Sequence, residues 1–147
     1  MALEPKPGLV IRYDYLWKDE AQAGRESGKD RPCAIILMSK PGADGSQLVR
    51  VCPITHVPPS PDQTAVEIPY KVAKHLQLDD DRMWIKTNEL NEFTWVPGRL
   101  PFGVVPTRDG REAYGQLPQQ LGKAAFDQVA ANAKAKALHR VNRDEDE

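Results

Sequence analysis

Residues 28–37 read Gly28-Lys29-Asp30-Arg31-Pro32-Cys33-Ala34-Ile35-Ile36-Leu37, a polar, glycine-containing loop that runs directly into an apolar segment. A short apolar run after such a loop predicts a buried strand. Proline cannot donate a ladder hydrogen bond, so Pro32 is expected at the first residue of that strand. The residue before a proline is driven to extended geometry, which places Arg31 at the rim of the sheet. Since a guanidinium matches phosphate geometry, the junction predicts a phosphate-handling site.

Length and charge limit the classes of protein that the chain can represent. The 147 residues fit one domain, and the formal net charge is −1. A nucleic-acid site must therefore be a local basic patch. No apolar run is long enough to span a membrane, and residues 1–8 contain no hydrophobic signal region. We expect a soluble, cytoplasmic protein that has no membrane partner.

The two cysteines, Cys33 and Cys52, both fall in predicted strands. They could face each other in a sheet, but small buried hydrophobic side chains are the favoured interpretation. Neither a zinc spacing nor a disulfide framework is present, so we expect a reducing compartment and neither a metal nor a cofactor.

Alternation, apolar runs and turn signals predict mainly β-structure. The predicted strands cover residues 9–17, 32–39, 47–54, 64–68 and 82–88, with edge strands at 102–105 and 111–115. Residues 18–30 show no periodicity, which predicts a long functional loop. The strand pattern and the absence of a parallel crossover pattern favour a small twisted β-barrel.

Helical spacing occurs twice. A short helix is predicted over residues 70–78, and an amphipathic helix from residue 117 to residue 140. The apolar stripe of the second helix consists of Leu121, Ala125, Val129, Ala133 and Ala137. The basic residues Lys134, Lys136, Arg140 and Arg143 are predicted on its exposed face. We expect one domain over residues 1–143 and a disordered acidic tail at 144–147.

The order of several segments resembles the MazF/PemK family of toxin–antitoxin ribonucleases, over nearly the whole chain. Gly8-Leu9-Val10-Ile11 is similar to the opening strand of that family. Glu26, Gly28 and Arg31-Pro32 before an apolar strand resemble its first catalytic segment, and Pro53-Ile54-Thr55 resembles the second. Residues 84–95 and Tyr114-Gly115-Gln116-Leu117 also fit.

The resemblance implies an SH3-like barrel of the CcdB/MazF type, with a short helix and a C-terminal α-helix. It also implies a homodimer that cleaves single-stranded RNA without a metal and is blocked by a cognate antitoxin. Carried over by motif position, Arg31 and Thr55 form the catalytic pair, and Glu26 lies in the loop beside them.

Elementary chemistry agrees with these assignments. Attack by a ribose 2′-OH requires a base, and the phosphate that forms requires hydrogen-bond donors. Arg31 can donate charge-assisted bonds and Thr55 a hydroxyl bond to that phosphate. Histidine as a residue type exchanges its proton near neutral pH, so His56 is a candidate base, together with Glu26. Alternation turns Thr55 and His56 to opposite faces unless the strand ends between them, as Pro58-Pro59 makes plausible.

Lys29, Arg25 and Trp17 are the candidate RNA-binding residues, since cations and aromatic rings bind single strands. Interleaved carboxylates also fit a solvated loop. For Arg31, the structural alternative is a salt bridge to Asp30, to Asp14 or to a carboxylate of the loop.

Two functional alternatives stay open. One is a gyrase inhibitor of the CcdB type, although the terminal residues 143–147 contain no tryptophan. The other is a non-catalytic relative that binds a protein partner, which the lack of an acidic residue at 86–88 favours.

Overall fold

The computed structural model describes residues 3–78 and 82–144. The protein is mainly β, with one sheet and three helices in these ranges. In chain order the elements are β1 Leu9–Tyr15, α1 Lys18–Gln22, β2 Lys29–Met38, β3 Gln47–Thr55, β4 Ala65–Ile68, α2 Tyr70–His75, β5 Met83–Lys86, β6 Glu89–Trp95, β7 Val104–Val105, β8 Gly115–Gln116, α3 Gln119–Lys134 and β9 His139–Asn142.

The sheet is antiparallel except for one pair. β2 lies between β1 and β3, β1 also pairs with β7 and β8, and β9 runs parallel to β6. β3 changes neighbours along its length: Gln47 to Val51 pair with β6, whereas Ile54 and Thr55 pair with β5. The end of β3 thus leaves β6 and joins β5, while its ladder with β2 ends where Pro53 faces Cys33.

Both faces of the sheet are buried, because successive strand residues point to opposite sides. Within β1, Val10 contributes to one core, while Ile11, Tyr13 and Tyr15 contribute to the other. The first core is covered by α2 and α3 through Ala73, Leu76, Leu121, Ala125 and Val129. The strand predicted at residues 9–17 and the short helix predicted at 70–78 are therefore both present and packed into the core.

The second core is enclosed because the sheet curls. β1 and β6 are separated by β2 and β3, which in a flat sheet would place them about 14 Å apart. Instead the rings of Tyr13 and Phe93 stack with centroids 4.6 Å apart. Tyr15 Oη donates a hydrogen bond to Glu89 Oε1 (3.0 Å), and the Leu16 N–H donates to Asn91 Oδ1 (2.9 Å). These contacts join the two strands across the interior.

The sequence predicted a continuous loop over residues 18–30, and this prediction is wrong. They contain α1, whose first turn carries Asp19 and Glu20, and the Trp17 N–H donates to Glu20 Oε1 (3.1 Å). Such N-terminal capping satisfies a free helix donor. The prediction overlooked it because five helical residues are too few to show periodicity.

Pro32 was predicted to be the first residue of its strand. It is instead the fourth residue of β2. It lies opposite Arg12 of β1, and the ladder to β3 begins one residue later, where Cys33 faces Pro53. Position 32 therefore lies beyond the end of the β2–β3 ladder, where proline removes no hydrogen bond from that ladder.

The C-terminal helix is shorter than predicted. α3 ends at Lys134, Lys136 adopts a left-handed φ of 58°, and the chain then forms β9. Ala133 and Ala137 are exposed and not part of the apolar stripe. Alanine favours a helix on local grounds, but pairing with β6 overrides that preference beyond residue 134.

Two further predictions change at this end of the chain. Arg140 lies on β9, and Arg143 is buried instead of lying on an exposed helix face. The predicted strand at 82–88 contains β5, whereas β6 was not among the predicted strands. Asp144 accepts hydrogen bonds from the N–H (3.2 Å) and hydroxyl (2.7 Å) of Thr94. The rest of the predicted tail, residues 145–147, lies outside the described residues.

In the described ranges, the helices are all too short or too polar to cross a membrane.

Candidate functional site

A small cleft lies where β2 begins and β3 ends. Its volume is about 160 Å³. The sequence-predicted residues Lys29, Arg31, Thr55 and His56 all line it. The other lining residues are Arg12, Asp30, Pro32, Ile54, Met83, Arg108 and Tyr114.

Arg31 and Thr55 line the cleft from the neighbouring strands β2 and β3. Cys33 pairs with Pro53 in the antiparallel ladder of β2 and β3. Arg31 and Thr55 each lie two residues beyond this last pair of the ladder, and both line the cleft. The cleft therefore brings together a residue with a guanidinium and one with a hydroxyl group.

Aromatic packing holds Arg31. Its guanidinium carbon lies 5.0 Å from the centroid of the Trp17 ring, which meets the Tyr15 ring edge-on at 5.2 Å. The Arg31 Nε atom is buried and has no hydrogen-bond partner in residues 3–78 and 82–144. One face of Trp17 is therefore occupied by Arg31, and its predicted stacking on RNA stays a prediction.

The structural alternative for Arg31 is wrong. Asp30 forms an ion pair with Arg12 (3.5 Å), and Asp14 forms one with Arg143 (3.1 Å). Within the described parts of the chain, no carboxylate lies within 4.0 Å of the Arg31 guanidinium nitrogens. The charge of Arg31 is thus not neutralised by a direct ion pair, which suits a residue that binds an anion.

At the end of β3, the Thr55 hydroxyl oxygen accepts a backbone hydrogen bond, so its hydrogen is available to donate. Thr55 is only 6% exposed, and its Oγ1 accepts a hydrogen bond from the Val57 N–H (3.1 Å). A hydroxyl that accepts from the backbone retains its own hydrogen for another acceptor. Because β3 ends at Thr55, His56 is released from strand alternation and lines the same cleft. The expectation that the strand ends between them is confirmed.

Two arginines of the cleft are absent from the sequence-based prediction. Arg12 Nη1 donates to the Pro106 carbonyl (3.2 Å), and its Nη2 lies 3.5 Å from Asp30. Arg108 lies on a turn closed by hydrogen bonds from the Thr107 N–H to the Arg111 carbonyl (2.8 Å) and from the Gly110 N–H to the Thr107 carbonyl (2.9 Å). Polar alternation in β1 was a weak signal for Arg12, and no local signal marks Arg108.

The cleft is strongly basic although the whole chain is not. Among the residues that the structure describes, four lysine and arginine side chains line it together with His56, and Asp30 contributes a carboxylate. The net charge of the chain is −1. Clustered charge of one sign in a cleft raises the local concentration of an oppositely charged ligand. The local patch that the sequence analysis required is thus present here.

Glu26 and Arg25 lie elsewhere. Both line a separate depression of about 670 Å³ between α1 and β9, together with Lys18, His139 and Arg140. Arg25 pairs with Glu20 (2.9 Å), and the Glu26 carbonyl accepts a hydrogen bond from Arg143 Nη2 (3.3 Å). The Gly28 N–H donates to Asp14 Oδ1 (2.8 Å), which fixes the chain just before β2. The structure does not bring Glu26 into the cleft.

Cys33 and Cys52 are buried, unpaired as a disulfide and on opposite faces of the sheet. Burial raises the pKa of both thiols. The described residues contain no group of three or more His, Cys, Asp or Glu side chains that could hold a metal ion.

Comparison of the chain with protein-family models, with curated proteins and with solved structures finds no match.

Proposed function

We propose that this chain is a MazF/PemK-like endoribonuclease, the toxin of a toxin–antitoxin module, that cleaves single-stranded RNA through attack of the ribose 2′-OH. The observation that carries the proposal is the basic cleft that Arg31, Thr55 and His56 line together. We further propose that the curled sheet is an SH3-like barrel. The transfer of β3 from the β6 ladder to the β5 ladder supports that assignment.

In the proposed reaction the guanidinium of Arg31 donates to the non-bridging oxygens of the scissile phosphate. Such preorganised donors stabilise the charge that develops in the transition state. Thr55 donates its remaining hydrogen to the same phosphate. Because Trp17 already orients Arg31, little conformational freedom is lost on binding.

The bonds and protons balance as follows. The 2′-oxygen attacks phosphorus and its proton passes to the base, while the bond from phosphorus to O5′ breaks. O5′ takes up a proton from the solvent that reaches the exposed side chains of the cleft. The products are a 2′,3′-cyclic phosphate and a 5′-hydroxyl.

We assign the base to His56. It lines the cleft, whereas Glu26 lines the depression beside α1. The Asp30 carboxylate is paired with Arg12. Neutral imidazole accepts a proton near neutral pH, which fits this role.

The test is cleavage of a mixed-sequence single-stranded RNA by purified protein, with and without EDTA. Loss of a single transition-state donor typically lowers the rate about 10²- to 10³-fold. We expect at least that loss for Arg31→Ala and a smaller loss for Thr55→Val. Arg25→Ala is the matched control, since Arg25 lies outside the cleft, and it should cleave normally. Undiminished cleavage by a folded Arg31→Ala protein would contradict the mechanism.

RNA binding without cleavage, again dependent on Arg31, would favour the non-catalytic relative. The proposal includes a homodimer and a cognate antitoxin, both implied by the resemblance. Light scattering on the purified chain tests the dimer.

A further inference from the structure

We propose that a second depression, beside Phe102, binds a nucleobase of the same RNA strand whose phosphate enters the cleft. This inference rests on the proposed function, because it takes the ligand to be single-stranded RNA.

The depression is about 530 Å³ in volume, large enough for a small planar ligand. Its lining includes Tyr13, Phe93, Arg99, Leu100, Phe102 and Arg143. Phe102 is 86% exposed, more than any other large hydrophobic side chain in the described ranges, and Leu100 is 43% exposed. Apolar surface presented to water in this way indicates a binding site when it borders a concavity.

The loop that carries Phe102 is held in place. The Val104 N–H donates to the Pro101 carbonyl (3.2 Å), and the Asp14 N–H donates to the Gly103 carbonyl (2.9 Å). Gly103 has a φ of +93°, and a Cβ atom there would lie 3.1 Å from the Tyr13 ring. The backbone therefore packs on β1, and the exposure of Phe102 does not follow from a loose loop.

A nucleobase fits this chemistry better than an aliphatic ligand. Bases stack on exposed aromatic rings, and this binding tolerates any base because each has a π-face. Arg99 supplies a cation at the rim of the depression for a flanking phosphate. Arg143 and Asp144 are already bonded to Asp14 and Thr94, so they form the wall and not the recognition element.

The depression and the cleft are neighbours around one sheet edge. Arg12 lines the cleft and the next residue, Tyr13, lines the depression. β7 pairs with these same two residues, Val105 with Arg12 and Val104 with Tyr13. Phe102 and Arg108 lie on either side of β7, six residues apart and so at most about 21 Å. A short RNA segment that crosses β7 can therefore contact both.

The experiment measures the affinity of the full chain for a fluorescent single-stranded RNA whose riboses are 2′-O-methylated, which blocks 2′-OH attack. Removing a stacking side chain typically weakens binding about tenfold. We expect that loss for Phe102→Ala and near-normal affinity for Phe102→Trp. Phe126→Ala is the matched control, because Phe126 is the other exposed phenylalanine, 38% exposed on α3, and it should bind normally.

A second arm replaces single bases of the RNA by abasic sites. If Phe102 stacks on one base, an abasic site at that position weakens binding to the wild-type protein. The same abasic site should leave the affinity of the Phe102→Ala protein unchanged, because that protein has already lost the stacking contact. Equal affinity of Phe102→Ala and wild type would overturn the proposal. So would dissociation of a protein dimer by Phe102→Ala, which would assign the surface to a second copy. Because the assay measures binding alone, it can succeed even if RNA cleavage is never observed.

Discussion

Replacing Arg143 with alanine is expected to destabilise the fold strongly. Its side chain is only 8% exposed and forms an ion pair with Asp14 (3.1 Å), whose side chain is 19% exposed. Arg143 Nη1 also donates to Asn91 Oδ1 (3.0 Å) and to the Asp14 carbonyl, and Nη2 donates to the Glu26 carbonyl (3.3 Å). One guanidinium thus joins β1, β6 and the segment that precedes β2.

The magnitude follows from what alanine would leave behind. Asp14 would keep the Gly28 N–H as a donor but lose its cation in a largely buried setting. Removing one partner of a buried pair costs about 3–5 kcal/mol, whereas exposed ion pairs contribute about 0–1 kcal/mol. Because the Arg143 side chain is so little exposed, we expect a loss of about 3–5 kcal/mol in the free energy of unfolding.

Urea unfolding, followed by tryptophan fluorescence, measures the free energy of unfolding of each variant. Arg140→Ala is the matched control, because Arg140 is an exposed arginine on β9; its cost should lie within about 0.5 kcal/mol. Arg143→Lys should recover part of the loss, since it restores the charge without the fork of donors. A loss below about 1 kcal/mol for Arg143→Ala, with an unchanged m-value, would refute the reasoning.

Three further predictions concern buried or partly buried side chains. Burial raises the pKa of the Glu89 carboxyl above its ordinary value of 4.5, so its stabilising contribution is complete below pH 4.5 and is lost as the pH rises through the folded-state pKa. Glu89→Gln should therefore gain stability relative to wild type between pH 4 and pH 7.5 in urea melts, and an equal difference at both pH values would contradict this. Cys33 and Cys52 should not react with a thiol reagent until urea unfolds the chain, because burial raises the pKa of both thiols; rapid labelling of the native protein would show otherwise. Trp17→Leu should lower the rate of RNA cleavage more than Trp17→Phe does, because phenylalanine retains an aromatic ring for Arg31. Equal cleavage rates of the two variants would show that the stacking of Arg31 does not contribute to activity.

Local pattern predicted those elements in which local and tertiary preferences agree. β1, β3 and α2 were anticipated within a few residues, because strand alternation and helical spacing match the faces they bury. α1 was overlooked, since a helix of five residues has no period to detect. β9 was assigned to a helix, because its pairing partner β6 lies about 50 residues earlier in the chain.

The same division applies to the cleft. Local sequence predicts that Arg31 enters a strand in extended geometry and that Thr55 and His56 lie at the end of the next strand, because proline and turn residues act on their immediate neighbours. The tertiary arrangement adds Arg12 and Arg108 to the cleft and leaves Glu26 and Arg25 outside it. It also decided that Asp14 and Asp30 pair with other arginines, which leaves Arg31 stacked on Trp17. The physical reason is that strand register and sheet curl bring together residues far apart in sequence, and neither property is encoded in the residues of one segment.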